Sequence, residues 1–199
     1  MTNDDIVDSL LSHFTETIHL DEQDIVLIVP KLEVKSLKRK EILLEPGQVS
    51  RHMRYIVKGS MRSYYLDDNS QEHTLQLGIE QWWINDLYSY LSDKPSKMYV
   101  QAIEHSIVVQ ISKTNLEILY REVPPMSDFF RVKMQRAYVS LQERTIENMS
   151  IDAFERYCNF IAEYRDIEQR VPQYMIASYL GITPEFLSFL RKKHMNSLS

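Results

Sequence analysis

The stretch Val171-Pro172-Gln173-Tyr174-Met175-Ile176-Ala177-Ser178-Tyr179-Leu180-Gly181-Ile182-Thr183-Pro184-Glu185-Phe186-Leu187-Ser188-Phe189-Leu190-Arg191 decides how the chain reads. Its residues have the spacing of two short helices joined by a tight turn. Ala177 is small where the helices must cross closely, and Gly181, four residues later, can take the positive φ that such a turn needs. Ile176, Leu180, Ile182, Leu187 and Leu190 are apolar where the pair must bury its inner angle. Thr183 is a good N-cap, Pro184 sits at the first helical position and Glu185 favours the positive helix end, so the second helix has a marked start. This is the pattern of a helix-turn-helix; the competing reading is an ordinary helical hairpin with a glycine turn.

In a helix-turn-helix the second helix enters the major groove and presents its N-terminal half to base edges. The residues expected to contact DNA are Thr183, Glu185, Ser188, Phe189, Arg191, Lys192 and Lys193. Glu accepts from the cytosine amino group, Ser is permissive, and Phe can touch a thymine methyl. Arg191, Lys192 and Lys193 form a local basic cluster suited to phosphates, although a solvated helix C-terminus would carry the same charges. The formal net charge of −5 argues against a surface coated for nonspecific nucleic-acid binding and leaves groove recognition by a local patch open.

Upstream, Asp152 to Tyr164 reads as a helix with Phe154, Cys158 and Ile161 on one side, followed by a polar connection through Asp166 to Arg170. From Ser127 to about Met149 no Pro or Gly interrupts, and Phe130, Met134, Ala137 and Leu141 recur at spacings of four and three. That seam packs either on the chain's own β-domain or on a second copy in a symmetric dimer. Asn115 to Arg121 is a short amphipathic helix ended by Pro124-Pro125. From Leu32 to about Ser112 the pattern is short β-type runs, among them 41–44, 54–57, 60–66, 74–79 and 98–111. Glu45-Pro46-Gly47-Gln48 has the residues of a type II turn, and Asp67-Asp68-Asn69-Ser70 reads as a hairpin tip. These strands suggest an antiparallel sandwich or a small barrel. Helical spacing of Ile6, Leu10, Leu11, Phe14 and Ile18, then a segment from Glu22 to Val29 closed by Pro30, completes the N-terminus.

A length of 199 residues with 44% hydrophobic content can bury a sizeable core. No run of about 18 apolar residues occurs and the first residues are acidic and polar, so a soluble cytoplasmic protein without membrane contact is expected. The single cysteine, Cys158, can make no internal disulfide and cannot alone hold a zinc or iron–sulfur site; it reads as a packing residue. The six histidines lack metal-ligand spacing, no metal is expected, and no catalytic signature stands out. Trp82-Trp83, with Tyr88, Tyr90 and Tyr99, would line an apolar pocket or, the preferred reading, fill a core or an interdomain contact.

The order of parts resembles the Crp/Fnr family of regulators, and Arg170 to Lys193 is similar to the DNA-binding motif of its Bacteroidetes branch. Glu45-Pro46-Gly47 and Tyr55-Ile56-Val57-Lys58-Gly59 resemble turns of the cyclic-nucleotide-binding β-roll. The resemblance implies an α+β fold: an N-terminal cyclic-nucleotide-binding-like β-roll, or jelly-roll, with helices over residues 1–125, a long dimerisation helix over 126–150 and a C-terminal winged helix-turn-helix over 151–199. It also implies a homodimer, with Phe130, Met134, Ala137 and Leu141 at its interface. Duplex DNA with half-sites about one helical turn apart and RNA polymerase are the implied partners, and an event in the roll would alter how the long helices cross.

Two departures qualify it. The family's phosphate cassette carries a Gly-Glu pair for the ribose and an Arg-Ser or Arg-Thr pair for the cyclic phosphate; here those positions are Asn85-Asp86 and Ser96-Lys97. Asp86 can still accept a ribose hydroxyl, but no arginine supplies the bidentate fork and Lys97 is a poor geometric substitute. Cyclic AMP is therefore disfavoured as effector against another small molecule or none, with Asp86, Ser96, Lys97 and Trp82 the candidate ligand residues. Phe189 stands at a base-contacting position where relatives commonly carry Arg, and Pro184 at one where the family's founding member has another; a lost arginine–guanine contact removes roughly 1 to 3 kcal/mol of discrimination. The alternative function is a degenerate cyclic-nucleotide-binding-like ligand or interaction module without specific DNA binding.

Overall fold

The computed structural model describes residues 1–197. Among these residues, seven antiparallel strands form two facing sheets. One has the order β1 (Leu32–Leu37), β7 (Ser106–Ser112), β3 (His52–Lys58); the other runs β2 (Ile42–Leu44), β6 (Tyr99–Ala102), β4 (Met61–Leu66), β5 (Glu72–Gly78). The expected run 98–111 divides into β6 and β7, which lie in different sheets on either side of a bend at 103–105. β1, with Glu33 and Lys35 on its exposed side, had too mixed a pattern to stand out. Gly47 has φ +89° and the Gln48 N–H donates to the Glu45 carbonyl at 3.2 Å, as a type II turn requires.

Strand β3 explains how the roll is filled. Successive side chains point to opposite faces of a sheet. Met53, Tyr55 and Val57 pack outward beneath the helices, whereas Ile56 joins Leu44, Met61, Ile84, Val100, Ala102 and Val108 between the sheets. Arg54 alternates onto the same inner side as Ile56 and is 3% exposed.

The helical layer comprises α1 (Asn3–Thr15), opened by a Thr2/Asp5 capping box, α2 (Glu22–Ile28) and α4 (Lys113–Glu122); a short helix, α3 (Leu87–Ser92), lies beside the sheets. Pro30 does not simply end α2: it lies within a 3-10 turn, Val29–Lys31. The long helix α5 (Pro125–Ser150) begins with Pro125 at its first turn; its 26 residues extend about 39 Å. Met126, Phe129 and Phe130 bury its start against Phe14, Trp83 and the α1 face, and its second half meets the roll again through Arg144, which donates to the Leu75 carbonyl.

Four helices follow: α6 (Ala153–Glu163), capped by Asp152; α7 (Arg165–Arg170), where only a polar connection was expected; α8 (Gln173–Leu180); and α9 (Pro184–Ser197). Ile167 of α7 is buried with Tyr157, Phe160, Val171 and Ile176, which anchors an otherwise polar hexamer as a helix. Leu77 and Ile103 of the roll belong to this same cluster, so the C-terminal unit is seated on the sheets. Among the described residues no strand accompanies these helices, so the expected wing is not seen among them; residues 198 and 199 of that unit lie outside the described residues.

Candidate nucleic-acid interface and sensor site

Helix α8 ends at Gly181, φ +70°, and the Ile182 N–H reaches back to the Ala177 carbonyl at 3.0 Å. This left-handed cap turns the chain into α9. Thr183 Oγ1 accepts from the Phe186 N–H at 3.2 Å and closes the N-terminus of the second helix. Ala177 and Leu187 are fully buried and Leu190 nearly so, which welds α8 to α9. Glu185, Ser188, Phe189 and Lys192 consequently point the other way and are exposed together. Thr183 is exposed as well, with its hydroxyl committed to the cap.

The basic cluster is divided. Arg191 faces Glu168 of α7 at 3.2 Å, and Lys193 Nζ lies 3.9 Å from the ring centre of Phe154 on α6. Lys192 alone of the three shares the outward face of Glu185 and Ser188. Phe186, which the sequence did not single out, stands beside Phe189 with ring centres 6.0 Å apart and planes 8° from parallel. The signal was its spacing of three residues from Phe189, which places both on one side of a helix.

The cassette positions are closed on themselves. Asp86 caps α3 by accepting from the Ser89 N–H at 3.0 Å, and its other oxygen accepts from Ser96 Oγ at 2.7 Å; both Asp86 and Ser96 are buried. Ser89 Oγ accepts from the Ser50 N–H at 2.9 Å, and Asn85 Oδ1 accepts from the Arg54 N–H at 2.9 Å. Arg54 donates to Ser50 Oγ and the His52 carbonyl, both at 3.3 Å. Its burial pulls the guanidinium down to about 10, with the Asp86 charge opposing. Lys97 is exposed and takes no part in this network. These residues do not fit a cyclic phosphate: the carboxylate and hydroxyl at the cassette bond each other, and the cation at the next position faces water. Arg54 was missed because it sits inside an apolar strand run and becomes visible only when the sheets close over it.

Trp82 does not line this region; its ring meets Tyr164, the residue between α6 and α7, edge-on at 5.5 Å, an interdomain contact. Trp83 packs with His13, Phe14, Tyr55, Phe129 and Phe130 in the helical core. The contact between the roll and the C-terminal unit centres on β5, the outer strand of its sheet. Ser178 Oγ of α8 accepts from the Thr74 N–H and donates to the Glu72 carbonyl, each at 2.8 Å. Arg144 of α5 donates to the Leu75 and Tyr179 carbonyls at 2.6 Å and stacks on the Tyr179 ring. The edge groups of β5 that would otherwise offer a strand template are thus occupied. Arg170 adds a fork to Glu80 and a bond to Glu104, partly exposed and hence weak. A cleft of about 430 Å³ opens between the second half of α5 and helices α6 and α8, with Phe160, Tyr164 and Tyr179 among its walls.

The four seam residues do not share one environment. Phe130 is 2% exposed and packs on Phe14, Trp83, Tyr120 and Phe129 of its own chain, so it cannot meet a partner. Met134 leans on the same core, and Ala137 faces the roll beside Trp82 and Leu75. At Phe130, Met134 and Ala137 the alternative in which the seam packs on the chain's own β-domain is the one observed, because the first turns of α5 bury into the aromatic cluster. Leu141 is exposed, and Tyr138, Val139, Ile146 and Met149 extend that open apolar surface.

Residues 34–122 match the family model of the cyclic nucleotide-binding domain. Among solved structures, the chain is similar to FixK2 of Bradyrhizobium japonicum (16% identity, TM-score 0.72, covering 83% of this chain and 85% of that one). It is similar to the c-di-GMP-responsive global regulator CLP of Xanthomonas campestris (13%, TM-score 0.69, 89% and 93%). A transcriptional regulator of the Crp/Fnr family from Eubacterium rectale gives 16% identity and a TM-score of 0.66 over 89% and 85%. No curated protein matches the chain. The roll thus carries the sequence pattern of a cyclic nucleotide-binding domain over residues 34–122, and over more than four fifths of its length the chain has the fold seen in Crp/Fnr-type transcription regulators. Among the described residues no helix is long and apolar enough to cross a membrane, and no three His, Cys, Asp or Glu side chains are grouped to hold a metal.

Proposed function

We propose that this chain is a homodimeric transcription regulator that binds duplex DNA through α9 and does not respond to cyclic AMP. The observation that carries it is the outward face of α9: a capped helix, locked to α8 by Ala177, Leu187 and Leu190, with Glu185, Ser188, Phe189 and Lys192 free in front of it. The self-bonded cassette of Asp86 and Ser96 supports independence from cyclic AMP. The exposed apolar residues Tyr138, Leu141, Ile146 and Met149 support a symmetric helix pair along the second half of α5. Because Arg144 and Ser178 tie α8 to the edge of β5, a change in the roll would be passed directly to the reading head. RNA polymerase contact follows only from the family and has no surface assigned to it.

Selection of bound duplexes from a random library tests DNA binding. The wild-type chain should enrich a palindromic motif, and the variant with Arg191, Lys192 and Lys193 all changed to Ala should not; failure to enrich any motif, with no salt-dependent binding, would exclude the reading.

A further inference from the structure

We infer that the paired phenyl rings of Phe186 and Phe189 read thymine C5-methyl groups in the major groove, a reading that rests on DNA binding through α9. Both rings are solvent-exposed, 42% and 58%, and neither belongs to a core of the fold; Leu187 and Leu190 fill the inner angle instead. Single exposed apolar residues need no explanation. These two, however, stack nearly parallel on the first two turns of α9, the half of a recognition helix that reaches base edges.

The chemistry narrows the occupant. Base edges in the major groove present hydrogen-bond donors and acceptors and one apolar group, the thymine methyl. An aromatic ring satisfies none of the former and can bury the latter. The ring pair, 6.0 Å between centres, is wider than the rise of about 3.4 Å between successive base pairs, so it can cover methyls on adjacent steps. Glu185, Ser188 and Lys192 flank the pair on the exposed face. This mixed polar border suits a groove lined by base edges and phosphates better than an apolar protein surface. Specificity at these steps therefore comes from burying a methyl, where an arginine at the same place would have read guanine.

The test uses the full chain and the best duplex recovered by selection. Replacing the thymines of each half-site by deoxyuridine, one at a time, removes only the C5-methyl. At the steps facing the pair, wild-type affinity should fall about fourfold per methyl, the factor that about 0.8 kcal/mol for one buried carbon gives at 1.4 kcal/mol per decade. Phe189→Ala and Phe186→Ala should bind the thymine duplex more weakly and lose the distinction from uracil, while retaining salt-dependent binding. Thermal unfolding of both variants checks that the fold is kept. Equal wild-type affinity for the two duplexes, or an undiminished preference in the variants, overturns methyl reading and leaves DNA binding standing. Absence of any duplex binding, with a Phe189→Ala change in oligomeric mass, would instead make the pair a protein contact and overturn both.

Discussion

The sensor cassette and the front of α9 treat their side chains in opposite ways. In the cassette, Asp86, Ser96, Ser89 and Ser50 are buried and bonded mainly to one another, with Arg54 joined to them through Ser50. On α9, Glu185, Phe186, Ser188, Phe189 and Lys192 are exposed, and the two rings touch each other without joining a core. A group that already has its partners stabilises the fold and has little left for a ligand; one without them contributes little to the fold and is available for recognition. The proposed reading surface on α9 rests on this difference, and Asp86 and Ser96 have a structural role in the roll whatever the roll binds.

The largest effect should follow from Asp86→Ala, which leaves Ser96 Oγ and the Ser89 N–H without an acceptor and removes the negative charge that opposes the cost of burying Arg54. Denaturant unfolding is expected to show a loss of about 2–4 kcal/mol, since each of two buried donors left without its acceptor costs about 1–3 kcal/mol; a loss under 1 kcal/mol would show that the network is dispensable. A second interior group, His13, gives a pH dependence. Burial, reinforced by Lys133 and opposed by Glu16, holds its imidazole below the ordinary value, and the Trp83 indole N–H donates to its Nε2 at 3.3 Å, so the neutral ring is the folded form. The unfolded chain then binds the proton more readily, and stability falls as pH drops through the ordinary imidazole range. Indole fluorescence during unfolding at neutral and mildly acidic pH should show this, and His13→Gln should flatten it.

On the outer face the expectation is reversed. Phe189→Ala should alter stability by no more than about 0.5 kcal/mol, measured by the same unfolding, and a larger loss would place the ring in the fold after all. Last and smallest, cyclic AMP should leave the melting temperature unchanged. A ligand at a hundred times its dissociation constant would add about 2.7 kcal/mol, so a clear upward shift would reopen the cassette.

Much of the helix-turn-helix was legible because its determinants are close in sequence. Gly181, Thr183 and Pro184 impose turn, cap and helix start within four residues, and Ile176, Leu187 and Leu190 follow from helical spacing. The long helix was equally visible from its lack of Pro and Gly, but which of its faces meets the roll was not. That face depends on where Phe14 and Trp83 arrive from distant parts of the chain, and it took Phe130 out of the expected seam. The strand run 98–111 misled for a similar reason: the bend that sends β6 and β7 into separate sheets is set by their partners, β2 and β4 on one side, β1 and β3 on the other.

By itself, then, the sequence determined what local rules can encode: the type of each long element, the turn at Gly47, the caps and the helix-turn-helix of α8 and α9. Tertiary structure alone decided that Arg54 faces inward to bond Ser50, that Ser178 and Arg144 occupy the edge of β5, and that Phe186 joins Phe189 as one surface while Arg191 and Lys193 turn back to their own chain. Periodicity and backbone torsion act over a few residues, whereas the partner of a buried polar group is chosen only when distant segments close around it.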